Sequence, residues 1–250
     1  MNSMEPNNTQ HGGDRFLPVS ILIAAVLIGG ALIFSTLYRG GIGGGAANGG
    51  TQTGGAAAQG GTTNTDVMKL GSRDAILGNP NAPVTLVEYG DYQCPFCGQF
   101  FAQTEQQIVS NYVNTGKVRM VFRDFAFLGA ESTAAANAAQ CANDQGKLWP
   151  YHDALYTAKE ADFNKGGRED DNFFTPAELL RLGQQVGLDM TKFTSCVNGM
   201  SDVNIVSDEQ TAATNAGINS TPTFYVNGTQ LLGARPYSEF QTAISTALNK

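Results

Sequence analysis

Basic residues are scarce in this 250-residue chain: 15 Lys and Arg stand against 22 Asp and Glu, a formal charge of −7. No stretch gathers enough of them to form the basic stripe that neutralises phosphates, so nucleic acid is not an expected partner. Histidine is scarcer still, with only His11 and His152. The four cysteines include one close pair, Cys94 and Cys97, while Cys141 and Cys196 stand far apart. A zinc site normally takes four Cys or His ligands, often as two close pairs, and this chain does not supply that pattern. Internal repeats are absent, and uncharged apolar runs of membrane-spanning length are confined to one place.

That one run is residues 17–38, LPVSILIAAVLIGGALIFSTLY, which is long enough to cross a bilayer as a helix. Arg15 and Arg39 bracket it and leave its orientation undecided. A cleaved signal peptide is the competing reading. Its apolar core is normally shorter and ends in a small-residue cleavage site, whereas this run ends in Phe34, Leu37 and Tyr38. An uncleaved transmembrane anchor is therefore expected. Residues 40–64 are Gly, Ala, Thr, Asn and Gln, with Ile42 the single large apolar side chain. Such a tract buries too little surface to offset its ordering entropy and is expected to be a flexible linker. A folded domain then occupies 66–250, long enough for one core. All four cysteines lie in that domain, which suits an oxidising compartment. The expected arrangement is a short cytoplasmic N-terminus (1–16), a single-pass anchor in the cell membrane and an extracytoplasmic domain, in the periplasm or at the cell exterior.

Cys94-Pro95-Phe96-Cys97 is the most informative segment. It follows an apolar run, 84–91, that reads as a strand, and precedes a segment, 100–113, that reads as a helix. Two cysteines so spaced at a strand-to-helix junction form a redox pair. The first would sit where unpaired helix N–H groups and the helix dipole favour a thiolate, which attacks disulfides and leaves them readily. A structural disulfide or half of a metal site are the plainer alternatives.

Farther along, residues 117–124 alternate apolar and charged side chains as a strand does. An alanine-rich stretch (134–142), an aromatic-bearing one (148–157) and the capping box Thr175-Pro-Ala-Glu178 indicate helices, with an exposed loop at 162–172. Asn227-Gly228 between apolar runs signals a hairpin. A closing helix is expected over 236–248, with Phe240, Ile244 and Leu248 on one face. The order is strand, helix, strand, a helical block over about 129–215, then hairpin and helix. It predicts an α/β chain with the thioredoxin fold and an all-helical insertion.

From residue 78 onward the chain resembles the membrane-anchored DsbA-like thiol–disulfide oxidoreductases of bacteria. The resemblance rests on Asn-Ala-Pro-Val before the first strand, Asp-Tyr-Gln-Cys-Pro-Phe-Cys, Phe122-Arg-Asp-Phe125, Cys141 followed by Gln145-Gly-Lys-Leu-Trp149, and Ser220-Thr-Pro-Thr-Phe-Tyr-Val-Asn-Gly228. It implies that Cys94 is the nucleophile and Cys97 the buried resolving thiol. Pro222 would be a cis-proline after Thr221, whose backbone pairs with an extended substrate beside Pro95 and Phe96. Glu88, six residues before Cys94, would move a proton on and off Cys97. The alternative for Glu88 is a sheet-edge residue facing water. Cys141 and Cys196 would form a structural disulfide, the alternative being two buried free thiols. Phe96 departs from the best-known members, which have His there, so the Cys94 pKa is expected to be less depressed than theirs. His152 reads as a packing or capping residue.

The implied activity is disulfide donation to cysteines of exported proteins by a monomer needing no cofactor or metal. A DsbB-like or quinone-linked membrane partner would reoxidise it. A reductase using the same pair is the first alternative, and a non-catalytic thioredoxin-fold binding or chaperone-like module the second.

Overall fold

The computed structural model describes residues 66–169 and 171–250. The expected anchor and linker lie outside the described residues, and among those described no helix is long and apolar enough to cross a membrane.

A five-stranded sheet in the order β1-β3-β2-β4-β5 forms the centre of the domain. Its strands are β1 (Ile76–Leu77), β2 (Val84–Gly90), β3 (Val118–Asp124), β4 (Thr223–Val226) and β5 (Thr229–Leu232). Only β2 and β3 run parallel, and the other neighbours are antiparallel. The parallel pair needs a crossover, and the helical segment from Pro95 to Val113 supplies it. It begins as α1 (Pro95–Phe100), loosens into wider π-type turns at Phe101–Glu105, tightens at Gln106–Ile108 and loosens again at Val109–Val113. Gly116, at φ 75°, turns the chain into β3. The Asn227-Gly228 hairpin has both central residues at positive φ, 44° and 87°, as a type I′ turn requires.

Because side chains alternate across a strand, the two faces of the sheet bury different sets. Val84 and Leu86 of β2, Val118 and Met120 of β3, and Phe224 and Val226 of β4 pack beneath Phe100, Ile108 and Tyr112 of the crossover. The closing helix α7 (Tyr237–Leu248) adds Phe240 and Ile244 to that face. Leu248, expected beside them, lies at the frayed end and is exposed. Val87, Tyr89, Val121 and Tyr225 fill the other face, against Val67, Ala213 and Ile218.

Among the described residues, five helices stand between β3 and β4: α2 (Ala130–Asn143), α3 (Leu148–Phe163), α4 (Pro176–Gln185), α5 (Met190–Gly199) and α6 (Val203–Asn215). Thr175 caps α4 as its sequence predicts, accepting from the Glu178 amide at 3.2 Å. The segment 190–215 carries weaker signals in sequence yet forms α5 and α6, joined at Met200, a non-glycine residue at φ 48°. The alanines of α2 let the helices approach closely. Their shared core runs from Ala135, Ala138 and Ala139 to Leu155, Leu179, Leu182 and Phe193, and reaches Cys97 and Tyr92 at the sheet.

Candidate active site

The chain leaves β2 at Gly90 and turns through Asp91, Tyr92 and Gln93 into α1, whose N-cap is Cys94 and first residue Pro95. Proline suits this position, since it needs no intrahelical N–H partner there. The turn is held by Asp91, which is buried and accepts four protein hydrogen bonds. Its Oδ1 receives the Gln93 amide (2.9 Å) and Ser132 hydroxyl (2.6 Å), and its Oδ2 the amides of Phe127 (3.0 Å) and Leu128 (3.2 Å). One carboxylate thus ties the loop before the cysteines to α2 and to the segment after β3. Sequence reasoning assigned Asp91 no role, although an acid two residues before a helix-entry turn is a frequent turn former.

Cys94 is 5% exposed and Cys97 fully buried, and the two are in the dithiol state. The Cys94 pKa is lowered to about 7. The largest cause is a hydrogen bond from the Cys97 thiol, with the helix-start amides of Cys97 and Phe96 adding to it and burial opposing. Cys97 moves the other way. Burial pushes its thiol well above 9, and the neighbouring Cys94 and Glu88 push it further. The pair is therefore divided into a sulfur that carries charge and a sulfur that holds a proton. Phe96, between them, is 59% exposed and gives Cys94 no side-chain partner.

Opposite the thiols, the Thr221–Pro222 peptide is cis. It places the Thr221 carbonyl oxygen 3.5 Å from Cys94 Sγ. The sheet brings this about, since Thr223, which begins β4, pairs with Tyr89 near the end of β2.

Glu88 does not face water. β2 is the central strand, and Glu88 follows Val84 and Leu86 on the face covered by α1. It is 2% exposed, its Oε1 has no hydrogen-bond partner, and its pKa is raised well above 4.5 by burial, then by Glu105 and Cys94. A buried carboxyl with its pKa raised, beneath two thiols, is suited to exchange a proton with them. Two neighbours were not anticipated. Glu105, in the first wide turn after α1, is buried with its pKa raised to about 7, chiefly by burial. Tyr156 of α3 reaches the Asp91 carbonyl at 3.3 Å and borders Cys97. His152 is a packing residue as expected, its ring fully buried against Tyr92, Phe101, Phe122, Trp149 and Tyr156.

Cys141 and Cys196 form a disulfide, which joins α2 to α5. The bridge removes the alternative of two free thiols.

The raised carboxyl groups carry a stability consequence. Glu88, Glu105 and Glu209, a half-buried residue of α6 that accepts the Asp124 amide at 2.6 Å, keep protons in the folded state that the unfolded chain loses above about 4.5, Glu105 and Glu209 until about pH 7. Where the native state binds more protons, unfolding free energy falls with rising pH. The contribution of Glu105 and Glu209 is fully present below pH 4.5 and is lost as pH rises through 7, and that of Glu88 falls in the same direction. The expected result is a thermal midpoint higher at pH 5 than at pH 8, measured at constant ionic strength. The opposite order would mean that these carboxyl groups are ionised in the folded protein.

A family model described as thioredoxin matches residues 72–246. Among curated proteins, the chain is 30% identical over 177 residues to Na(+)/H(+) antiporter NhaA 3 of Salinispora tropica, covering 70% of this chain and 25% of that protein. The chain thus spans about a quarter of the length of the first relatives it matches. It is 29% identical over 185 residues to disulfide bond formation protein D of Bacillus subtilis, covering 69% of this chain and 76% of that one. The crystal structure of oxidised BdbD from Bacillus subtilis superposes with a TM-score of 0.63 at 25% identity, over 71% of this chain and 94% of that one. With the matching fold, the paired thiols and these relatives in agreement, the chain belongs to the thioredoxin family and is similar to DsbA-like disulfide bond formation proteins.

Proposed function

We propose that this protein donates disulfides to cysteines of exported proteins through Cys94 and Cys97. The observation that carries the reading is the division of the pair: a nucleophile whose thiolate is favoured at neutral pH beside a buried thiol that holds its proton. In the oxidised protein a substrate thiolate attacks Cys94 Sγ and forms a new S–S bond. The Cys94–Cys97 bond breaks, and its electron pair leaves on Cys97 Sγ, which takes up a proton. A second substrate thiolate then attacks the substrate sulfur of the mixed disulfide, and Cys94 departs as a thiolate. The substrate leaves oxidised by two electrons and the protein reduced by two. Glu88, beneath the pair, is the proton donor to Cys97.

Substrate would lie across Pro95, the exposed Phe96 and the Thr221 carbonyl next to Pro222, with its backbone pairing to Thr221 as an added strand. A groove of about 570 Å³ beside Pro95, Leu128 and Phe163 extends this surface. Residues 17–38 would anchor the protein in the membrane, and residues 40–64 would tether the domain of 66–250 outside the cytoplasm. A DsbB-like or quinone-linked membrane protein would restore the disulfide. The match to a protein named for disulfide bond formation supports the direction.

The reductase reading keeps one specific observation in its favour. A nucleophile pKa of about 7 favours the reduced state less than a strongly acidic thiol does. Equilibrating the protein with glutathione mixtures and counting free thiols decides between them. A potential of about −120 to −200 mV is expected for the donor, and one near −270 mV would overturn it in favour of the reductase.

A further inference from the structure

The Cys97 proton has no direct path to water. Cys97 is fully buried, Glu88 beneath it is 2% exposed, and in the mixed disulfide the substrate would cover the Cys94 side. Yet every turnover would deliver one proton to Cys97 and later remove it, so Glu88 must exchange protons with solvent through the protein. Buried polar atoms without partners mark the direction. Glu88 Oε1, Glu105 Oε2 and His152 Nε2 are all buried and unpaired, although such atoms normally find a hydrogen bond. Glu105 is the charged group that acts most strongly on Glu88. A carboxylate oxygen of Glu105, a ring nitrogen of His152 and a carboxylate oxygen of Asp153 all lie within 4.8 Å of one another. His152 Nδ1 is 3.1 Å from Asp153 Oδ1, and the Asp153 side chain is 51% exposed.

We propose that Glu105, His152 and Asp153 form a proton conduit between Glu88 and solvent, serving Cys97 from the side away from the substrate. This rests on the redox reading above. When the disulfide opens, Glu88 gives its proton to the Cys97 thiolate. Glu105 then reprotonates Glu88, His152 reprotonates Glu105, and water at Asp153 restores His152. Reoxidation runs the sequence backward, with one proton leaving per Cys97 thiol. No electrons pass along the route. The π-type turn at Phe101–Glu105 belongs to the same device, because a helix widened there carries Glu105 inward, where it is 1% exposed.

The titratable groups bordering the route come from each surrounding element. Cys94 and Cys97 of α1, Tyr92 of the loop before it and Tyr156 of α3 border Glu88. His152 and Asp153 of α3 border Glu105. The tyrosine hydroxyls hold their protons far above neutral pH, which leaves the carboxyl groups and the imidazole as carriers.

The test is the reduction of the oxidised full-length protein by dithiothreitol, followed in a stopped-flow instrument by the emission of Trp149. This is the single tryptophan of the chain, and its ring lies 5.1 Å from His152. Glu105→Gln keeps the shape of the side chain and cannot relay a proton as a carboxyl group does. His152→Phe keeps the aromatic packing. Asp153→Asn alters only a half-exposed group, so it remains informative even where His152→Phe fails to fold. Each variant is expected to slow reduction on the order of tenfold, below the usual worth of a positioned proton donor, and to flatten its pH profile. A solvent deuterium effect should grow, while the pH midpoint of Cys94 alkylation stays in place. A purely structural role would move the unfolding midpoint and leave the pH profile and isotope effect as in the native protein, which would overturn the conduit. An altered profile in Glu105→Gln but not in His152→Phe or Asp153→Asn would overturn the route through α3. Failure of the redox reading shows separately: the unaltered protein would not exchange with dithiothreitol at all, and the conduit would fall with it.

Discussion

Replacing Cys94 by Ser is expected to lower thiol–disulfide exchange by on the order of a thousandfold or more, because the attacking and attacked sulfur is lost outright. The fold should survive. Cys94 is an N-cap that makes no side-chain cap hydrogen bond, and its place at the helix start suits a serine. Replacing Cys97 by Ser is expected to give a different failure. Cys94 still attacks a substrate disulfide, expelling one substrate thiolate and forming a mixed disulfide, but the buried thiol that would release it is gone, so the adduct persists and is seen as added mass under non-reducing conditions. The contrast matters more than either loss. A module that only grips extended chains through Phe96 and the Thr221–Pro222 loop would keep its partners in both variants. Refolding of a reduced disulfide protein, with each variant as the sole oxidant, measures the first effect. Retained oxidase activity in Cys94→Ser would remove the pair from the mechanism.

Breaking the bridge between Cys141 and Cys196 is expected to have the largest effect on stability. The two residues are separated by 55 positions, and their Cα atoms lie 5.9 Å apart. In the chain-entropy account, closing a loop of that length stabilises the folded state by about 4 kcal/mol. For a domain of this size the thermal midpoint of a Cys141→Ala/Cys196→Ala variant should fall by roughly 8–16 °C. The bridge links α2 to α5, and Cys141 is buried among the alanines and leucines of the helical core, so the loss falls on the helices first. The Cys94–Cys97 site stands on β2 and α1 and should still exchange thiols at 25 °C. Melting the variant and the oxidised protein side by side checks this, with the variant's exchange rate as the control. A midpoint shift of less than about 2 °C would mean that helix packing alone fixes the unfolded ensemble and the bridge adds little.

How much of this was legible in the residues follows from how far each signal reaches along the chain. The paired cysteines, the apolar strand before them, the alternating strand at 117–124, the Asn-Gly turn and the Thr175 capping box are local patterns. Each met its expected element because a few adjacent residues set its dihedral preferences and hydrogen bonds. The helices at 190–215 were poorly marked, and β1 was invisible at two residues, because such elements exist through their packing and pairing partners rather than through propensity.

Glu88 shows the boundary most clearly. β2 is buried on both faces, so its sequence has no polar side to set its register, and alternation alone could not say whether Glu88 faced water or protein. Its burial was settled when β4 closed on one side of β2 and β3 on the other, with α1 laid over the face that carries Val84, Leu86 and Glu88. Asp91 and Glu105, with the contact of Glu105 to His152, were unreadable for the same reason. Asp91 meets Phe127, Leu128 and Ser132 across 36 to 41 residues and Glu105 meets His152 across 47, and no local pattern records such distances. By itself the sequence determined the placing of two thiols at a helix start, since that spacing needs only adjacent residues. Only the tertiary structure decided which carboxyl groups were taken out of water and stacked beneath them. Burial belongs to the whole packed chain, and burial is what raises the pKa of Glu88 and Glu105.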